Sequence, residues 1–192
     1  MTRKNVNMKK HTHTIENYLH TLNKMLAQFP VDDLENLIRI LENAREQGRT
    51  VFVCGNGGSY TTAAHMVCDF GKNSRMGGSK RLRIIGLGDN VSMLTAYAND
   101  EGYENVFSEP ALSLIRPDDV LIAISASGNS PNILRAVEAA KRCEGVTIGL
   151  TGFDGGKLKD LVDHAIIVPG DTIGMVEDFH MIIGHIVTIC LS

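Results

Sequence analysis

The chain has 192 residues, 43% of them hydrophobic, which is enough to bury a core and build one domain. Its formal net charge is -3 with the 7 His neutral, and its 19 Lys plus Arg are scattered, so nothing resembles the basic stripe of a nucleic-acid-binding domain. Residues 1–10 are basic and polar and lead into no apolar run, so no secretory signal is expected, no stretch reads as a membrane span, and a cytoplasmic location follows.

Residues 1–11 read as a flexible N-terminal segment and 12–192 as the folded domain. Ile15, Tyr18, Leu19, Leu22 and Leu26 recur at helical spacing, which predicts a first amphipathic helix from about residue 12 to Phe29, ended by Pro30. Asp32 with Glu35 reads as a capping box for a second helix, whose stripe is Leu34, Leu37, Ile38, Leu41 and Ala44 and whose end is Gly48.

Five short runs rich in β-branched residues then follow: 50–54, 82–86, 120–124, 146–150 and 165–168. They read as buried strands. Segments 60–70, 93–98, 105–114, 132–142 and 173–191 are helical in pattern, so the economical fold is α/β: a doubly wound five-stranded parallel sheet flanked by helices, preceded by two N-terminal helices. The Gly-containing stretch 71–80 reads as a rim loop. The four cysteines, Cys54, Cys68, Cys143 and Cys190, lack metal-type spacing and read as small core residues.

Two Gly/Ser loops stand out, Cys54-Gly55-Asn56-Gly57-Gly58-Ser59 and Ser125-Ala126-Ser127-Gly128-Asn129-Ser130-Pro131-Asn132, each after a strand and before a helix. That placement turns backbone N–H groups and hydroxyls toward one anion, and phosphate suits them. The first loop is no dinucleotide fingerprint, because Tyr60 stands where the third glycine belongs, and no Gly-Lys-Ser/Thr follows to make a nucleotide P-loop. A single loop of this kind is as readily an ordinary turn; two at equivalent strand ends point to a site.

His65 and Asp69 lie i,i+4 on the helix after the first loop and share a face. On the last helix His185 stands about 80° round from Glu177, while His180 and His185 are about 140° apart and do not address one atom within a subunit. His65, Asp69, Glu177 and His185 could form a zinc-type site, although each histidine has an equally plain reading as a structural residue. Asn99-Asp100 reads either as the border of a sugar site or as an ordinary turn.

Taken together, the C-G-N-G-G-S segment, the I-S-A-S-G-N-S-P-N segment, Asn99-Asp100 and the closing Glu177-x-x-His180-x4-His185 pattern resemble the sugar isomerase (SIS) domain proteins and, more closely, the phosphoheptose isomerases. The resemblance implies a homotetramer with active sites completed at subunit interfaces, and interconversion of sedoheptulose 7-phosphate with D-glycero-D-manno-heptose 7-phosphate through an enediol. It assigns Asn56, Gly57, Gly58, Ser59, Asp100, Ser125, Ala126, Ser127, Ser130 and Glu177 to substrate binding. Asp69 and His185 become the base and the acid, and His65, Asp69, Glu177 and His185 the ligands of zinc or another divalent metal. No nucleic acid or membrane partner is implied.

Four positions depart from the family pattern. Asp69 replaces Glu, Glu177 replaces Gln, Met175 replaces Arg, and Ala126 replaces Thr. Altered handling of substrate or metal follows from such changes. Isomerisation of another sugar phosphate, or a non-catalytic interaction or regulatory role such as that of relatives binding a replication initiator, are the competing readings.

Overall fold

The structure is a computed structural model, described for residues 3–73 and 80–192; side chains are described from residue 11. The loop expected over 71–80 therefore lies mostly outside the described residues. Helices α1 (Arg3–Leu26) and α2 (Val31–Gln47) lead into β1 (Thr50–Gly55) and α3 (Gly57–Asn73). Next come β2 (Arg83–Gly86), α4 (Val91–Asp100), α5 (Ser108–Leu114), β3 (Val120–Ile124) and α6 (Pro131–Arg142). The chain closes with β4 (Val146–Thr151), α7 (Leu158–Leu161), β5 (His164–Ile167) and α8 (Ile173–Cys190).

The five strands pair in parallel in the order β2-β1-β3-β4-β5. All residues of β1 and β3 are buried, as the continuous apolar runs predict for central strands covered on both faces. Alternate β1 residues serve opposite layers. Val51 and Val53 pack with α2, α3 and α8, whereas Phe52 and Cys54 pack with α5 and α6. The chain winds to one side from β1 and to the other from β3, so the β1–β3 boundary is the topological switch point, where open α/β sheets bind ligands.

Several local expectations are corrected. Helix α1 reaches back to Arg3, so most of the segment expected to be flexible is helical. No Gly or Pro interrupts residues 3–29, and polar residues continue a helix without an apolar stripe. The Asp32–Glu35 capping box does not form: α2 starts at Val31 behind Pro30, and Asp32 and Asp33 lie inside its first turn, where their charges suit the helix dipole.

Segment 105–114 is split into a 3-10 turn, Tyr103–Asn105, and α5. Pro110 sits in the first turn of α5, where its missing N–H removes no intrahelical bond. Cys54 is buried, which pushes its thiol up to about 12, but Cys68 and Cys190 are exposed rather than core residues.

Helix α8 is long and apolar enough to cross a membrane by length and composition, contrary to the reading that no stretch approaches a span. It buries Val176, Phe179, Ile183 and Val187 in the core instead. An added methyl on its Gly184 would meet Met66 Cε of α3 at 3.3 Å, so the small residue lets the two helices approach closely.

Candidate active site

Gly55 is opposite Ile124 in the β1–β3 register, so Asn56 and Ser125 leave the sheet side by side. The two Gly/Ser loops thus share one crevice, with the N-termini of α3 and α6 opening into it. The amides of Asn56 and Asn132 tie the loops together: each Nδ2 donates to the other's Oδ1 at 2.8 Å. The Tyr103 hydroxyl also donates to Asn56 Oδ1, at 3.0 Å.

Within the second loop the Ser125 and Ser130 hydroxyls lie 3.2 Å apart, and the Asn129 backbone N–H donates to Ser127 Oγ at 3.3 Å. A cavity of about 160 Å³ is lined by Asn56, Ser59, the three loop serines and Glu177. The structure therefore brings together in one crevice the residues expected around phosphate. Asp100 ends α4, where its Oδ1 accepts from Asn99 Nδ2 at 2.7 Å, and it does not line that cavity.

A second group lies on the α3–α8 surface. His65 Nε2 is 3.2 Å from Asp69 Oδ2 and 3.2 Å from His185 Nε2, and the two imidazoles meet edge to face at 72°. Their ligand atoms all lie within 4.8 Å of one another. Two imidazoles and a carboxylate, partly open to solvent, are a donor set that fits a zinc-type divalent ion with a coordination position left for substrate.

Glu177 is not in that group. It is eight residues before His185 on α8, about 12 Å along the helix axis, and its carboxylate lies over Gly58 at the start of α3. Both α3 and α8 follow strands of a parallel sheet and run side by side from the crevice. The serine loops and Glu177 lie at the N-terminal ends of these two helices, and His65, Asp69 and His185 lie about two turns further along them.

His180 takes no part in this surface. It is completely buried, and burial, the larger influence, lowers its pKa to about 4 against the raising effect of a hydrogen bond with the Thr151 main chain. A cavity of about 470 Å³ shares Asn56 and Ser130 with the serine cavity and is lined further by Tyr103, Asn132 and Arg135 rather than by the histidine group. Tyr103 and Arg135 were not singled out from sequence, and Asn132 entered only as the last residue of the second loop, with no role of its own.

Residues 16–152 match the model of the SIS domain family. The chain is 41% identical over 182 residues to a phosphoheptose isomerase of Helicobacter pylori, covering 95% of this chain and 90% of that one. It is 43% identical over 147 residues to a phosphoheptose isomerase of Nitratiruptor, covering 74% and 76%. A solved phosphoheptose isomerase from Francisella tularensis superposes with a TM-score of 0.87 at 29% identity, covering 96% of this chain and 97% of that one. This chain belongs to the SIS-domain family and, within it, to the phosphoheptose isomerases.

Proposed function

We propose that this protein interconverts sedoheptulose 7-phosphate and D-glycero-D-manno-heptose 7-phosphate through an enediol. Its full-length kinship with phosphoheptose isomerases carries the reading, because the substrate in their name matches a site with a phosphate-type cradle at one end and an acid–base group at the other.

In this reading Ser59, Ser125, Ser127 and Ser130, with the backbone N–H groups of Gly57, Gly58 and Ala126, hold the phosphate. Asn56 and Asp100 address sugar hydroxyls, and Glu177 faces the phosphate end. The Asp69 carboxylate removes the proton from the carbon beside the carbonyl. His185 donates a proton to the carbonyl oxygen, giving the enediol; Asp69 then delivers its proton to the former carbonyl carbon while His185 takes the proton from the other hydroxyl as the second carbonyl forms, which restores both groups. His65, within 3.2 Å of both, fixes their mutual geometry.

A divalent ion such as zinc, held by His65, Asp69 and His185, would polarise the carbonyl and neutralise charge on the enediol oxygens. Ile15, Leu19 and Leu26 of α1 and Ile189 of α8 are exposed apolar side chains, which supports assembly as a homotetramer with sites completed between subunits. A cytoplasmic location, with no membrane or nucleic-acid partner, fits the same reading. The test is turnover of a panel of five-, six- and seven-carbon ketose phosphates by zinc-supplemented protein. The seven-carbon substrate should give the highest kcat/KM, and a preference for a shorter sugar would reassign the substrate.

A further inference from the structure

One backbone group fixes the direction of every hydrogen bond around Asn56. The Ile133 N–H can only donate, and it points to Asn132 Oδ1 at 3.0 Å, so the Asn132 amide cannot flip without setting two donors against each other. Asn132 Nδ2 then faces Asn56, which must offer its Oδ1 in return and send its own Nδ2 to Asn132 Oδ1. The Tyr103 hydroxyl, 3.0 Å from that same Asn56 Oδ1, is therefore the donor in their contact. Both lone pairs of Asn56 Oδ1 are engaged, one Asn56 Nδ2 hydrogen is left over, and the Tyr103 oxygen keeps its lone pairs.

The two touching side chains thus offer a ligand one donor, on Asn56, and one acceptor, on Tyr103. A hydroxyl is the sugar group that answers both. Asn56 and Tyr103 lie with Ser130 around the 470 Å³ cavity, and Asn56 and Ser130 also line the serine cavity. We infer that Tyr103 is a specificity-determining residue whose oxygen accepts a hydrogen bond from a substrate hydroxyl, the same hydroxyl that receives the free N–H of Asn56. Ser130 belongs to the phosphate cradle, so that hydroxyl is carried by one of the two carbons next to the phosphate-bearing one. The inference rests on the reading of the serine loops as that cradle.

The experiment is calorimetric titration of zinc-supplemented protein with the heptitol 7-phosphate obtained by reducing the proposed substrate, and with its 5-deoxy and 6-deoxy analogues. The natural chain is compared with Tyr103→Phe, and both are checked by thermal melt and by mass in solution. The natural chain should bind one of the two analogues about fivefold or more weakly than the parent. Tyr103→Phe should weaken the parent by about the same factor while leaving that analogue within about twofold of its affinity for the natural chain. A natural chain that binds the parent and both analogues equally overturns the contact whether or not the variant folds. Equal weakening of all three ligands by Tyr103→Phe means that the hydroxyl only props Asn56, and unchanged affinities with an altered mass mean that it faces another subunit; either result overturns the inference and leaves the cradle standing. Failure of the natural chain to bind any of the three overturns the cradle, and this inference with it.

Discussion

Asn56, just after β1, and Asn132, in the first turn of α6, are joined by two amide hydrogen bonds of 2.8 Å, and this reciprocal pair sets the spacing of the two Gly/Ser loops. Asn132 is buried, so it has no water to fall back on if its partner is removed. Asn56→Ala should therefore cost about 1–3 kcal/mol of stability and loosen the loops. Steady-state kinetics should show KM for the sugar phosphate raised about tenfold or more, with a smaller change in kcat. An unchanged KM would mean that the pair does not hold the cradle.

Gly55 at the end of β1 admits no side chain. A Cβ there would stand 2.5 Å from the Ser59 carbonyl oxygen and 2.9 Å from the Tyr60 nitrogen, both backbone atoms of α3. Gly55→Ala must push the helix start away from the strand. A loss of more than about 2 kcal/mol in denaturant unfolding is expected, together with weaker phosphate binding.

His180 makes stability depend on pH. Its folded pKa is near 4 because burial penalises the imidazolium, against 6.5 for the ordinary side chain. Between these values the unfolded chain takes up a proton that the folded chain refuses. The contribution of the neutral imidazole is thus complete above pH 6.5 and is lost as pH falls toward 4, by about 3 kcal/mol in all. Denaturant midpoints measured from pH 7 to pH 4 should fall for the natural chain, and the fall should be shallower by that amount in His180→Leu.

Asp69 and His185 carry the proton transfers in the proposed mechanism, and their substitutions should separate chemistry from binding. Asp69→Asn keeps the size of the side chain but removes the base, so kcat should drop by about 10²–10⁴. Asp69→Glu restores the carboxylate one methylene further out and should retain far more activity than Asp69→Asn. If the two variants are equally inactive, reach rather than basicity is the decisive property.

The His65, Asp69 and His185 group predicts one divalent ion per chain. Elemental analysis after zinc loading and desalting should give about one zinc in the natural chain. His65→Ala and His185→Ala should each lower metal affinity by about tenfold or more, since each removes one of only three ligands. Retention of zinc by both variants would place the ion elsewhere.

Much of this was legible in the chain because the relevant signals are local. The β-branched runs mark strands that are buried on both faces, and the i,i+4 spacing of His65 and Asp69 by itself puts them on one helix face. What failed depended on the third dimension. Glu177 and His185 are only 80° apart in helical projection, yet about 12 Å of helix separates them, so the one joins the serine loops and the other the histidine group. The Asn56–Asn132 pair spans 76 residues and arises from the β1–β3 register, which no pattern within either loop encodes. Helix α7, at four residues, is too short to display a period.

The most direct test of the account is incubation of the zinc-loaded protein with sedoheptulose 7-phosphate in D₂O, followed by NMR. The account predicts appearance of D-glycero-D-manno-heptose 7-phosphate carrying deuterium at the carbon next to the carbonyl, and loss of both signals in Asp69→Asn. Recovery of unchanged, undeuterated sedoheptulose 7-phosphate from folded, zinc-loaded protein would contradict it.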